Sequence, residues 1–161
     1  MNGVGGGRFA PNGTATRAMV VTMLWRMEGK PSADAPAPFK DLEPGAWYAD
    51  AVAWAAESGV VKGITQTEFA PDAPMTREQL AAILYRCAQA KGQGFTGMWY
   101  FPLDFKDAAE VSDWADEAMH WMVMKGIIKG RTETTLNPKN QSSRAEIATI
   151  LMRYFTAIGA E

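Results

Sequence analysis

The stretch GVVKGITQTEFAPDAPMTREQLAAILYR, residues 59–86, decides the fold because the chain contains it more than once. Residues 126–153 read GIIKGRTETTLNPKNQSSRAEIATILMR and match it, without a gap, at 11 of 28 positions. Many of the mismatches exchange similar side chains, such as valine for isoleucine. This recurrence predicts an architecture of repeated supersecondary units that stack to share a core.

A third, incomplete copy precedes these two. Residues 2–26 match residues 62–86 at eight positions, including a Phe-Ala-Pro loop and a Thr-Arg pair. In the complete copies an FKD tripeptide starts the repeat, at 39–41 and at 105–107. We therefore predict three repeats in one compact domain, the first of them truncated: 1–30, 39–91 and 105–157.

Each complete repeat predicts a helix, a long loop and a second helix. Apolar residues recur at helical spacing over 47–58 and 113–124, and a glycine comes shortly after each segment. The second helices begin at Thr76 and Ser143, each with Gln or Glu three residues later, which is the spacing of a capping box. In the first copy Met19 stands three residues after Thr16, so only the hydroxyl half of the capping box remains. The predicted fold class is all-α.

Two connectors join the repeats. Residues 29–38, GKPSADAPAP, are rich in proline and alanine and predict an extended spacer. Residues 91–105, KGQGFTGMWYFPLDF, begin with glycines but then carry several large aromatic side chains. Because such side chains are poorly suited to a free linker, we expect the second connector to pack on the domain.

One arginine recurs where helix stability does not require it. Arg17, Arg77 and Arg144 each follow the capping residue, at the positive end of the helix dipole, where a cation is mildly unfavourable. The first unpaired amides of a helix, together with a guanidinium, form a receptor for a carboxylate or phosphate. The alternative is a salt bridge to a neighbouring acid: Asp41, Glu78 or Asp107. Three occurrences in register favour the anion site.

The composition excludes several classes of function. The chain has 161 residues, 47% of them hydrophobic, and a net charge of −2, which indicates a globular protein with no nucleic-acid partner. One cysteine and one histidine, Cys87 and His120, are too few for a zinc site of the Cys/His type, so we predict no metal and no cofactor. We expect Cys87 to be a buried thiol and His120 to be packed or on the surface. No apolar run suggests membrane insertion, and no catalytic motif suggests an enzyme.

The ordered set of motifs resembles the S-layer homology repeat. The resemblance rests on the FKD start, the tryptophan-bearing helix, the GVVKG loop, the F-x-P loop and a TRAE-like motif, which reads TRAM, TREQ and SRAE here. It covers nearly the whole chain. It implies three repeats in a pseudo-threefold spindle with a central helical bundle. The first bundle helix would lie before Met1, so we expect an upstream segment of a larger protein, or a second copy in a homo-oligomer, to supply it.

The resemblance also implies a function. Such repeats anchor proteins non-covalently to the bacterial cell surface by binding secondary cell-wall polysaccharide, frequently through pyruvylated sugars, and the expected location is therefore extracellular. A ketal-linked pyruvate carries a carboxylate that suits the anion receptor. The rival interpretation is a protein-interaction or self-assembly module built from helical repeats.

By position, the resemblance implies three kinds of ligand contact. Arg17, Arg77 and Arg144 would bind the carboxylate. Glycines in the loops would let the backbone approach the sugar, namely Gly3, Gly63 and Gly130. Trp47 and Trp114 would offer ring faces to the sugar or pack in the core, whereas Trp54 and Trp121 are expected in the core. Asp41 and Asp107 are expected to cap a loop or helix.

Overall fold

The computed structural model describes residues 8–159 and consists of helices and loops. The α-helices are α1, Arg17–Met27; α2, Ala49–Glu57; α3, Arg77–Ala90; α4, Asp116–Met124; and α5, Arg144–Gly159. Two short 3-10 turns, Ala108–Glu110 and Asp113–Ala115, precede α4. The residues described contain no strand, only isolated β-bridges, so the predicted all-α class is confirmed.

The chain divides into two compact units, one ending at Met75 and the other beginning at Thr76. This boundary falls inside repeat 2, between its loop and its second helix. Each unit therefore joins the second helix of one repeat to the start of the next. The single compact domain expected from the repeats stays a prediction.

In the first unit, α1 packs against α2. Their shared core is made of small and branched side chains, which lets the helices approach closely: Val20, Val21, Leu24, Ala51, Val52 and Ala55. The α2 helix lies within the predicted segment 47–58 and ends at a C-cap serine followed by Gly59, whose φ of +71° suits glycine. Phe69 from the following loop is fully buried.

In the second unit, α3 packs against α4 and the 3-10 turn before it. Tyr85 of α3 lies with its ring centroid 5.4 Å from that of Trp121, which is 1% exposed, as expected for a core tryptophan. The α4 helix begins at Asp116 rather than at 113, because the Ala115 amide bonds back to the Ser112 carbonyl in a 3-10 turn. Cys87 is a buried free thiol, as expected.

The second connector packs on this unit, as the sequence predicted. Phe95 and Trp99 stack with ring centroids 4.0 Å apart, and the His120 ring lies 5.3 Å from that of Trp99. The Phe95 amide donates to the Tyr85 hydroxyl at 3.1 Å. The histidine thus lies half-buried against an aromatic ring, with Nδ1 2.8 Å from the Asp116 carbonyl oxygen.

The capping pattern follows the sequence. Thr76 and Ser143 each form both halves of a capping box, with side-chain and backbone hydrogen bonds to Gln79 and Glu146 respectively. Thr16 accepts only from the Met19 amide, at 3.3 Å. Within residues 8–159, no helix has the length and apolar character needed to cross a bilayer, and no cluster of potential metal ligands is found.

Replacing Thr76 with alanine should destabilise the second unit by about 1 kcal/mol, because the Gln79 amide loses its acceptor and the capping box is broken. Urea denaturation followed by circular dichroism measures the change. Thr96→Ala, at an exposed threonine of the second connector, is the matched control and should be neutral. Equal midpoints for the two variants would contradict a stabilising cap.

Candidate anion-binding cavity beside Arg77

The recurring arginines are the first residues of three helices and are almost fully buried. Arg17, Arg77 and Arg144 start α1, α3 and α5 and are 4%, 4% and 5% exposed. A buried cation needs hydrogen-bond acceptors or a counter-charge, since its desolvation is otherwise costly. The partners of these guanidinium groups therefore decide what the arginines do.

For Arg17 and Arg77 the acceptors are carbonyl oxygens in the loop of the following repeat. Arg77 donates from Nε to the Leu136 carbonyl at 2.8 Å and from Nη2 to the Lys129 carbonyl at 2.6 Å. Arg17 repeats the arrangement with the carbonyls of Phe69, at 2.8 Å, and Lys62, at 3.3 Å. Each arginine thus holds two points of a loop that lies more than forty residues further along the chain. Arg77 forms no ion pair with a described acid, so the salt-bridge alternative does not hold for it.

The prediction that the first-turn amides are unpaired is wrong for α1 and α3. The amides of Arg77 and Glu78 donate to the carbonyls of Asn140 and Pro138, both at 3.0 Å. In α1 the corresponding amides donate to Ala73, at 2.9 Å, and Pro71, at 3.0 Å. The Pro-containing loop of the next repeat supplies these acceptors, so the amides at these two helix starts are not available to an anion.

The aspartates of the FKD tripeptides cap the loops, as expected. Asp107 accepts from the amides of Leu136, at 2.8 Å, and Asn137, at 2.7 Å. Asp41 accepts in the same way from Phe69 and Ala70. Desolvation would raise the pKa of the Asp107 carboxyl, but these amide hydrogen bonds outweigh it and hold the pKa below its usual value. The loop is therefore fastened by a carboxylate as well as by an arginine.

The loop glycines have a structural role within the repeat. A Cβ on Gly130 would lie 2.3 Å from the Thr132 carbonyl oxygen and 2.6 Å from the Phe105 ring. A Cβ on Gly63 would meet the corresponding atoms of Thr65 and Phe39, at 2.2 and 2.7 Å. This close approach requires glycine whether or not a sugar binds, and sugar contact at these positions stays a prediction. Gly3 lies outside the described residues.

A cavity of about 420 Å³ opens beside Arg77 in the second unit. Its wall combines the guanidinium of Arg77, the loop that it holds and one face of α5, and the lining residues are Arg77, Lys129, Gly130, Arg131, Ala145, Glu146, Thr149, Ile150 and Arg153. Four of these side chains are cationic and one is anionic. The structure thus brings Arg77 and Gly130 to one site, which is electropositive.

One of the cations is already neutralised. Arg131 forms a two-point ion pair with Glu146, with Nε and Nη2 each 2.9 Å from a carboxylate oxygen. Lys129 and Arg153 make no side-chain hydrogen bond to a described residue, and Nη1 of Arg77 is not used by the two bonds that fix its side chain. Desolvation lowers the pKa of Arg77, although Glu146 opposes the shift, and an arginine remains charged at neutral pH.

The sequence pattern did not indicate Lys129, Arg131 and Arg153 as site residues. A signal was present for two of them, because Lys129 is in register with Lys62, and Arg153 is in register with Arg26 and Arg86. Charged residues on helix surfaces and in loops are common, so recurrence alone does not separate them from solvated side chains. What distinguishes them is their position around the Arg77 guanidinium.

The structure does not bring the tryptophans to this cavity. Trp47 and Trp114 are 59% and 55% exposed, so they are not core residues, and Trp114 does not line the cavity of its own unit. Trp54, expected in the core, is half-buried. A sugar contact for Trp47 or Trp114 stays a prediction.

Two segments of the chain, residues 38–81 and 104–148, match the model of the S-layer homology domain. They cover more than half of the chain. This chain belongs to the S-layer homology domain family. Family membership confirms the resemblance that the motifs indicated, and it agrees with the predicted location at the bacterial cell surface.

Relatives of this chain are larger proteins. It is 32% identical, over 99% of its length, to a surface-layer 125 kDa protein of Lysinibacillus sphaericus, and covers 13% of that protein. It is 29% identical to an endoglucanase of Bacillus sp. (strain KSM-635), over 89% of its length and 15% of the relative. A cellulosome-anchoring protein of Acetivibrio thermocellus is 27% identical over 95% of this chain, which spans 34% of it.

The lowered pKa of Asp107 predicts an acid-sensitive loop. Its carboxylate stabilises the fold above the unfolded-state pKa of about 3.9, and this contribution is lost as the pH falls through the lower pKa of the folded state. Asp107→Asn should therefore show a smaller loss of stability than the wild type between about pH 4 and pH 2. Urea denaturation across this range measures it. Asp104→Asn, at an exposed aspartate, is the control and should follow the wild type.

Proposed function

We propose that this chain is a non-catalytic, non-covalent cell-surface anchoring module that binds acidic cell-wall polysaccharide. The ligand group is the carboxylate of a pyruvylated sugar, and it enters the cavity beside Arg77. The observation that carries the proposal is the set of cations around this cavity that have no acidic partner: Arg77, Lys129 and Arg153.

The cavity fits a carboxylate on a bulky neutral group better than it fits a free small ion. Charge-assisted hydrogen bonds from guanidinium and ammonium groups are the strongest available to a carboxylate. A volume of about 420 Å³ also leaves room for the sugar that bears it, within the range of small-molecule sites. Thr149 and the Gly130 backbone lie on the same wall and offer hydrogen-bonding groups to sugar hydroxyls.

The relatives support anchoring as the shared property. They include a surface-layer protein and a cellulosome-anchoring protein, together with an enzyme, and each contains a stretch similar to almost the whole of this chain. A stretch that covers 15% of an endoglucanase does not carry over the activity of the whole protein. The anchoring role rests on the part that these proteins share with this chain.

Arg153→Gln should weaken binding to purified cell walls about tenfold or more, because it removes a charge-assisted contact worth about 1.5–3 kcal/mol. Arg153 makes no hydrogen bond that holds the fold within the described residues, so the melting temperature should not change. Lys106→Gln makes the same change of charge outside the cavity and should bind like the wild type. Sedimentation of the protein with cell walls gives the affinity.

The same assay on walls from which the ketal pyruvate has been removed tests the ligand group. Wild-type binding should fall to the level of Arg153→Gln, and Arg153→Gln should lose little more. Unchanged binding to the treated walls, or equal losses in Arg153→Gln and Lys106→Gln, would overturn the carboxylate proposal. Binding that needs a wall protein instead of polysaccharide would favour an interaction module.

Arg77→Ala is expected to act in two ways. It removes a cation from the cavity, and it also leaves the carbonyls of Leu136 and Lys129 without their donor, so it should lower the melting temperature as well as the affinity. Arg77→Lys keeps the charge but loses the two-point geometry. Normal wall binding by a destabilised Arg77→Ala would show that this arginine is only structural.

A further inference from the structure

A tyrosine–carboxylate contact between the two helices of the second unit has no counterpart in the first unit. Tyr85 of α3 and Glu117 of α4 are in register with Trp25 of α1 and Asp50 of α2. In the second unit the Tyr85 hydroxyl donates to Glu117 Oε1 at 2.5 Å and accepts from the Phe95 amide. Burial and this carboxylate raise the pKa of Tyr85 to about 12. The connector thus reaches this pair through the backbone amide of Phe95.

In the first unit the corresponding pair does not form. The Trp25 indole has one donor, Nε1, which is bonded to the Pro31 carbonyl at 2.8 Å. The carboxylate of Asp50 therefore has no hydrogen bond or ion pair to any residue between 8 and 159. The first connector has proline and alanine where the second has aromatic residues, so it brings no side chain that would fill the space.

A cavity of about 580 Å³ remains between α1, the connector and α2. It is lined by Trp25, residues 30–36, Asp50 and Ala53. The wall is fixed at two points, since Pro31 accepts from Trp25 and the Asp34 amide donates to the Glu57 carboxylate at 3.1 and 3.2 Å. The cavity is thus built by the fold and is not a gap beside a loose linker.

The lining groups define the ligand. The carboxylates of Asp34 and Asp50 are acceptors, the ammonium of Lys30 is a donor, and none of the three is engaged by a described residue. Beside them lies the indole of Trp25, an apolar surface whose edge is held in place. The net charge of −1 opposes an acidic ligand, while mixed donors and acceptors around an aromatic ring suit a compact group rich in hydroxyls.

We infer that this cavity binds a neutral pyranose unit of the polysaccharide. The inference rests on the proposed function and deepens it, because it assigns a second subsite of opposite charge to the same ligand. The cavity beside Arg77 takes the carboxylate-bearing sugar, and the cavity beside Trp25 takes an uncharged sugar. The hydroxyls of that sugar donate to Asp34 and Asp50 and accept from Lys30.

The test uses the full chain labelled with ¹⁵N and oligosaccharides of the wall polymer with the ketal pyruvate removed. The Trp25 indole signal, assigned by its loss in Trp25→Phe, should shift on titration together with amides of residues 30–35. Asp50→Ala should weaken this binding about tenfold, as expected for the loss of a hydrogen bond to a charged group. Asp104→Ala, which makes the same change outside both cavities, should leave it unchanged.

The outcomes separate this inference from the proposed function. If the treated oligosaccharides leave the Trp25 signal unmoved, or if Asp50→Ala binds like Asp104→Ala, the inference fails. The anion site still stands if the untreated polymer shifts amides of residues 129–131 in a manner that depends on Arg153. Shifts at Trp25 without any Arg153-dependent binding would keep the neutral subsite and overturn the carboxylate proposal.

Discussion

A buried guanidinium bonded to two loop carbonyls is the interaction on which each unit depends. At the positive end of a helix a cation is mildly unfavourable, and the carbonyl oxygens of the loop compensate for it. The loop has little regular secondary structure of its own, so Arg77 fixes it on one side and Asp107 on the other. The contact of Phe105 with Gly130 sets how closely the chain segments approach. These contacts therefore determine the shape of the loop that lines the cavity beside Arg77.

Local signals in the sequence predicted what local physics determines. The helices, both capping boxes, the half box at Thr16 and the loop-capping role of Asp41 and Asp107 followed from spacing and residue type. The pairing of the helix-start amides could not be predicted in this way. Their acceptors lie some sixty residues further along the chain, and no sequence pattern near α3 indicates them. Likewise the cavity cations are ordinary surface residues in sequence, and only the folded loop gathers them.

The contrast between the Trp25 cavity and the Tyr85–Glu117 contact comes from small chemical differences. A tyrosine hydroxyl both donates and accepts, so Tyr85 links a helix carboxylate to the connector at once. An indole only donates, so Trp25 reaches the connector alone and leaves Asp50 free for another partner. The exchange of tyrosine for tryptophan, together with the different connector, thus gives a polar cavity in place of a hydrogen-bonded pair. Repeats of similar sequence need not carry identical sites.

The arginine contacts also explain why the packed units and the sequence repeats have different boundaries. Because the arginine of one repeat holds the loop of the next, the unit that packs together starts at a second helix, whereas the unit that recurs in sequence starts at an FKD tripeptide. The same contact between an arginine and a loop carbonyl forms at both places in this chain where one copy follows another. A further copy of the repeat would be held by the same arginine contact from the copy before it.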